Sequence, residues 1–186
     1  SSAASDVYKR QVVANAGHCN PDVQKAILDM AQHGLLNNYV FPSDIRSRLV
    51  EKIVSVAPEG LDKVFLLTTG AESTECAIKL ARTFTRRQNP EKNIVVTFKD
   101  AFHGRTLGSQ MAGGSPADKV WIKNLDPDTV QIPFPNSFKY EWADQSRADY
   151  SDERCFEKLI EAMREVGIQD FDKVLSLIHI SEPTRH

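Results

Sequence analysis

The residue pattern of this chain predicts an α/β fold with a mostly parallel sheet, and three observations predict it. Short apolar runs at 64–67 and 94–98, and then the segment 129–132, have strand character. Amphipathic helical periods at 71–87 and 152–166 alternate with them, the order that covers a parallel sheet on both faces. The turns after the first two runs carry the chain's densest chemistry, at strand carboxyl ends where ligands of such sheets bind.

Each element has its own justification. Asn20-Pro21-Asp22 supplies a cap, a first-turn proline and a first-turn acid. Val23, Ile27, Met30 and Ala31 then share one helical face until Gly34 ends it. A second helix opens at Ser43-Asp44, keeps Ile45, Leu49, Ile53 and Val56 inward, and stops at Pro58-Glu59-Gly60. Between them, 37–42 reads as a crossing loop. From Lys63 the order is strand, turn, helix (71–87), strand (93–98), turn, short helix, strand (129–132) and helix (152–166). The polar stretch 138–150 reads as a surface loop before the start signal Ser151-Asp152.

Composition narrows the function classes. The chain has 186 residues, 41% of them hydrophobic, with 23 Lys plus Arg against 25 Asp plus Glu and a net charge of −2. That is enough apolar content for a core, and there is no clustered basic face of the kind nucleic acid requires. No run approaches the roughly eighteen apolar residues of a membrane span. Cys19, Cys76 and Cys155 are odd in number and far apart, which disfavours a disulfide framework and a zinc site and points to a reducing compartment, cytoplasm or mitochondrial matrix.

The two ends read as foreign sequence. Asp6 to Gln11 back-translates as GAT GTG TAT AAG AGA CAG, whose reverse complement encodes Leu-Ser-Leu-Ile-His-Ile, the string at 175–180. Residues 1–11 and 175–186 are therefore expected to be sequencing-adapter scars, excluded from fold reasoning as a tag would be.

Two turns could hold an anionic, aromatic ligand. In Thr68-Thr69-Gly70-Ala71-Glu72-Ser73, a strand run gives way to a helix start, where unpaired N–H groups face an incoming anion. Gly70 permits close approach and Ala71 opens the helix, with Thr69 and Ser73 as further donors; an ordinary strand-to-helix turn is the alternative. In Ala101-Phe102-His103-Gly104-Arg105-Thr106, Phe102 offers a flat face beside His103, and Arg105 a planar cation. An aromatic in the core, and an arginine pairing with Asp100 or Glu72, are the alternatives here. Glu72 and Glu75 lie where negative charge complements a helix start, so they are expected to be framework and not acid/base groups. His18 and Cys19 have no further ligand at metal spacing. Neither dinucleotide nor P-loop glycine spacing occurs, which argues against a nucleotide-binding protein.

These motifs, with Asn15-Ala16-Gly17-His18-Cys19-Asn20-Pro21 and Ile132-Pro133-Phe134-Pro135, resemble the class III aminotransferases, a family that includes 4-aminobutyrate, ornithine and acetylornithine aminotransferases. The resemblance implies a fold-type I transferase, aspartate aminotransferase-like, with pyridoxal 5′-phosphate as cofactor. It implies that 12–42 is an N-terminal segment on the small-domain and interface side, and that 43–174 is the first part of the large cofactor-binding domain. Gly70, Ala71, Phe102 and His103 would bind the cofactor and Arg105 a substrate carboxylate, with no metal. The family's cofactor-linking lysine would lie beyond this segment, which is then inactive by itself, and Lys79, Lys99 and Lys123 do not stand in its motif. The partners implied are an amino donor, with 4-aminobutyrate favoured over ornithine or acetylornithine, a 2-oxo acid acceptor, and a second subunit in a homodimer. An aminomutase or decarboxylase relative of the same fold, and a non-catalytic interaction module, are the rival readings.

Overall fold

The computed structural model describes residues 16–34, 41–134 and 152–178. The chain divides into two compact units, 1–65 and 66–186. The expected surface loop at 138–150 and most of the expected crossing loop at 37–42 lie outside the described residues, as do Asn15 and Pro135.

The first unit holds two amphipathic helices, α1 (Pro21–His33) and α2 (Asp44–Val56). The side chain of Asn20 accepts the N–H groups of Asp22 and Val23, satisfying two of the donors that a helix start leaves over, and Gly34 closes α1 in the left-handed conformation at φ 76°. Ser43 opens α2 without a side-chain cap bond, and the helix ends one residue before Ala57. Both expected helices therefore stand at their expected limits. Neither has a fully buried residue: Ile27 and Leu28 on α1 and Leu49 and Val56 on α2 are all exposed.

The second unit is the α/β layer structure. In order it contains α3 (Gly70–Arg86), β1 (Ile94–Phe98), α4 (Leu107–Ala112), a 3-10 turn (Pro116–Lys119), β2 (Thr129–Ile132), α5 (Asp152–Glu165), a second 3-10 turn (Phe171–Lys173) and β3 (Val174–Ile178). The three strands form one parallel sheet in the order β2-β1-β3. β1 is central, with Val95 opposite Thr129 and Phe98 opposite Ile132 on one side.

The pleat divides β1 between two faces. Val96 and Phe98 join Ile132, and Ala162 and Met163 of α5, in the core, with Ile168 beside them. Phe98 meets Phe134 edge to face at 5.1 Å, so Phe134 extends the core past the end of β2. Val95 and Thr97, sent to the opposite face, are equally inaccessible, and the other helices in contact with the sheet are α3, against β3, and α4, against β2. A layer on each face is the expected α/β architecture.

Two differences from the expectation have physical causes. The apolar run 64–67 forms no strand, because a strand exists only with a hydrogen-bonded neighbour and none of the described residues provides one. Conversely, residues 175–178, read as foreign sequence, complete β3 together with Val174. Leu-Ser-Leu-Ile has strand propensity, and the free edge of β1 offers unpaired backbone groups to whatever extended segment lies beside it. The pairing slips by one residue between Ile94 and Val95, so the fit along this edge is irregular.

Candidate functional site

The two motifs read from the sequence meet in the second unit. The first is the start of α3. Thr69 accepts the Glu72 N–H at 3.2 Å, and the Glu72 carboxylate accepts the backbone N–H groups of Thr68 and Thr69, each at 3.1 Å, and the Thr68 hydroxyl. This is a reciprocal capping box. The Thr68 hydroxyl, foremost, and these N–H groups hold the Glu72 carboxyl below its usual range, against the opposing effect of desolvation. Glu72 is thereby engaged as framework, as expected. The Ser73 hydroxyl donates back to Thr69 O at 2.9 Å, so it is engaged within the helix start. Among the described residues no acceptor takes the N–H of Gly70 or Ala71, and the space beside Gly70 is open.

The second motif follows β1. Asp100 takes a left-handed turn at φ 63°, and Ala101 donates back to Phe98 O at 3.3 Å. From there side chains diverge. Phe102 is 44% exposed and His103 only 3%, with the Cδ2 of His103 set against Gly113. Phe102 thus presents its ring outward from a turn that His103 fills from within.

Gly104 brings the two motifs into contact. A Cβ at Gly104 would lie 2.5 Å from Ala71 Cβ and 2.5 Å from Ser109 Oγ, and its φ of 128° is one that side-chain-bearing residues avoid. Only glycine lets the Phe102 turn rest on the first turn of α3. Glu75, one helical turn beyond Ala71 on the same face, reaches the start of α4. It accepts the Thr106 hydroxyl and the N–H groups of Gly108 at 3.1 Å and Ser109 at 3.4 Å.

Arg105 lies over the Phe102 ring, 5.6 Å from its centroid, and pairs at 3.5 Å with Asp118. The alternatives weighed from the sequence, Asp100 and Glu72, are not its partners; Asp118, missed there, is. Its turn was legible from the capping-box spacing of Ser115-Pro116-Ala117-Asp118, though not its pairing with Arg105: the Asp118 carboxylate accepts the Ser115 N–H and hydroxyl, and the Asp118 N–H donates to Ser115 O. The Ser115 N–H and hydroxyl, and then Arg105, hold the Asp118 carboxyl below its ordinary range, over a smaller effect of desolvation. Arg105 remains two-thirds exposed and able to reach a ligand.

Behind the site, partly buried polar groups tie the layers. Gln131 on β2 donates to Phe98 O, Ala112 O and Gly114 O and accepts from Lys119, whose ammonium also donates to Met111 O at 3.0 Å. Burial lowers the Lys119 pKa, against the raising effect of Asp118. Arg82 on α3 pairs with Asp126 at 2.7 Å, before β2. Burial raises the Asp126 carboxyl, but the bonds from Arg82, Thr129 and Asp128 outweigh it and leave the group lowered. His18 and Cys19 are exposed at the start of α1, and no group of three potential metal ligands occurs among the described residues.

The arrangement offers two outward backbone donors at a positive helix end, a partly exposed aromatic face tied to them, and a guanidinium beside that face. A phosphate-bearing aromatic ring with a carboxylate-bearing second ligand matches this donor set. The residues present therefore fit such a group.

Comparison with known proteins gives the family and the fold. The chain is 35% identical over 126 residues to an acetylornithine aminotransferase of Xylella fastidiosa, covering 67% of this chain and 28% of that protein. To an acetylornithine/succinyldiaminopimelate aminotransferase of Yersinia pestis it is 33% identical, covering 66% and 30%. It spans under a third of the length of these curated relatives. Among solved structures, taurine:2-oxoglutarate aminotransferase of Bifidobacterium kashiwanohense, in complex with pyridoxal phosphate and glutamate, superposes with a TM-score of 0.70 at 25% identity, covering 88% of this chain and 35% of that one. An (S)-enantioselective ω-transaminase of Thermomicrobium roseum shares the fold with a TM-score of 0.69 at 22% identity, covering 87% and 36%. The expected α/β transferase fold is thus the observed one. The family model for aminotransferase class III matches residues 2–172, and the chain belongs to that family of pyridoxal-phosphate-dependent enzymes.

Proposed function

We propose that residues 12–174 are the N-terminal segment of a longer, homodimeric aminotransferase that moves an amino group from a primary amine to a 2-oxo acid. In this reading 12–42 belongs to the interface side, and 43–174 begins the cofactor-binding domain. The observation that carries the reading is the seating of Gly104 on Ala71, which joins a backbone anion cradle to an aromatic platform within one unit.

Each residue then has a task. The N–H groups of Gly70 and Ala71, at the positive end of α3, hold the cofactor phosphate. The exposed face of Phe102 supports the pyridine ring and excludes water from one side of it, while buried His103 keeps the turn in place. Arg105 orients the donor by pairing with its distal carboxylate. When bound, pyridoxal phosphate supplies the aldehyde that takes up the amino nitrogen and the ring that draws electron density from the adjacent carbon.

The donor we infer is a primary amine with a carboxylate at its far end. The names of the matched relatives support acetylornithine within this class ahead of the 4-aminobutyrate favoured from the sequence. Both molecules carry a carboxylate with which Arg105 would pair. The test is glutamate formation from 2-oxoglutarate by the full-length enzyme with each donor. The specificity constant for acetylornithine should exceed that for 4-aminobutyrate; the reverse order restores the first choice, and no glutamate from any primary amine defeats the transaminase reading.

A further inference from the structure

The contacts of Glu75 go beyond those of a framework acid on its own helix. Ala71 and Glu75 stand four residues apart, one above the other on one face of α3. That face meets the chain after β1 at two points: Ala71 against Gly104, and Glu75 against Gly108, where a Cβ would come within 3.2 Å of the carboxylate carbon. A single oxygen, Oε1, receives the Thr106 hydroxyl and the Gly108 and Ser109 N–H groups. Thr106, at the capping position of α4, makes no side-chain cap bond itself, so the carboxylate that closes this helix comes from α3. Phe102, by contrast, is substantially exposed, and the turn that carries it is anchored by its neighbours, Ala101, His103 and Gly104.

We propose that Glu75 is a positioning residue for the cofactor: it latches the Phe102 turn to the Gly70–Ala71 cradle and so sets the distance between the ring platform and the phosphate donors. The inference rests on the cofactor site proposed above. Glu75 would touch neither the ring nor the phosphate; it would act through the backbone of 104–109. Loosening it misplaces the platform and leaves the cradle, built by the Thr69–Glu72 box, intact.

The test uses the full-length enzyme in its cofactor-free form, titrated separately with pyridoxamine 5′-phosphate and with inorganic phosphate. In Glu75→Ala, affinity for pyridoxamine phosphate should fall about tenfold, with a weakened induced circular dichroism of the bound ring, while phosphate affinity stays the same. Glu75→Gln keeps an acceptor but not the charge, and about a threefold loss is expected. Gly108→Ala, which pushes on the carboxylate without removing it, should give the same split and decides the matter if Glu75→Ala does not fold. Equal losses for both ligands, or none for either, overturn the positioning role. Phe102→Ala separates the two levels of the proposal. If it leaves pyridoxamine phosphate affinity unchanged, the site reading fails and this inference with it; if it weakens binding while the Glu75 variants do not, the latch alone is wrong.

Discussion

Arg105 shows how a single side chain can be held ready without being consumed. Its guanidinium lies over Phe102 and pairs with Asp118 at 3.5 Å, a long contact between an exposed and a partly exposed group that contributes little to stability. In the proposed function a donor carboxylate would replace Asp118 as partner at small cost. Arg105→Lys keeps the charge but loses the planar fork, and Arg105→Ala leaves the donor carboxylate without a partner. In the full-length enzyme, the specificity constant for a carboxylate-bearing donor should fall by about 1.5 to 3 kcal/mol in Arg105→Ala. A simple primary amine should be turned over as before. Equal losses for both donors would assign Arg105 to structure. The residue itself stood out in the sequence as a cation beside an aromatic; its partner did not, because thirteen residues separate Arg105 from Asp118 and chain spacing does not encode which turn folds back upon it.

At the scale of elements, local signals were legible and pairings were not. Asn20-Pro21 and Gly34 bound α1 because caps act within one turn, and Thr69 with Glu72 marks the start of α3 for the same reason. The run at 64–67 has the composition of a strand yet no ladder, and 174–178 has a ladder at an edge where none was expected, because strand formation depends on a neighbour distant in sequence. The capping box yields a test with a defined sign. Glu72 has a folded-state pKa below its ordinary value, so its carboxylate stabilises α3 fully above the unfolded value of about 4.3, and this is lost as pH falls through the folded value. Glu72→Gln should therefore lower the thermal midpoint of the full-length enzyme at pH 7, with the gap to the parent closing on acidification below about pH 4. Thr69→Ala, which removes the other half of the box, should cost about 1 kcal/mol. A gap for Glu72→Gln that persists or widens in acid would mean that the carboxylate is not what the box contributes.

At the scale of the whole molecule, the balance of apolar surface decides behaviour. Among the described residues nine apolar side chains are buried, whereas twenty large ones are exposed. Some of the exposed set lies on faces with helical spacing: Val23 and Ile27 on α1, Ile45, Leu49 and Ile53 on α2, and Leu80 and Phe84 on α3. Scattered exposed apolar residues are normal, but regular stripes on three helices are surfaces that aqueous solvent does not favour. The sequence patterns that identified these helices were reading the same stripes, since periodicity records that a face is meant to be covered and not what covers it. In the proposed enzyme the remaining chain and a second subunit would cover them. The 186-residue chain expressed alone should consequently self-associate, bind a hydrophobic dye strongly, and melt without a sharp cooperative transition, as sedimentation velocity, dye fluorescence and calorimetry would record. Full-length enzyme should sediment as a dimer with little dye binding. A monomeric 186-residue chain with a cooperative melt and no dye binding would show that these faces are stable in water, and would remove the support they lend to a dimer.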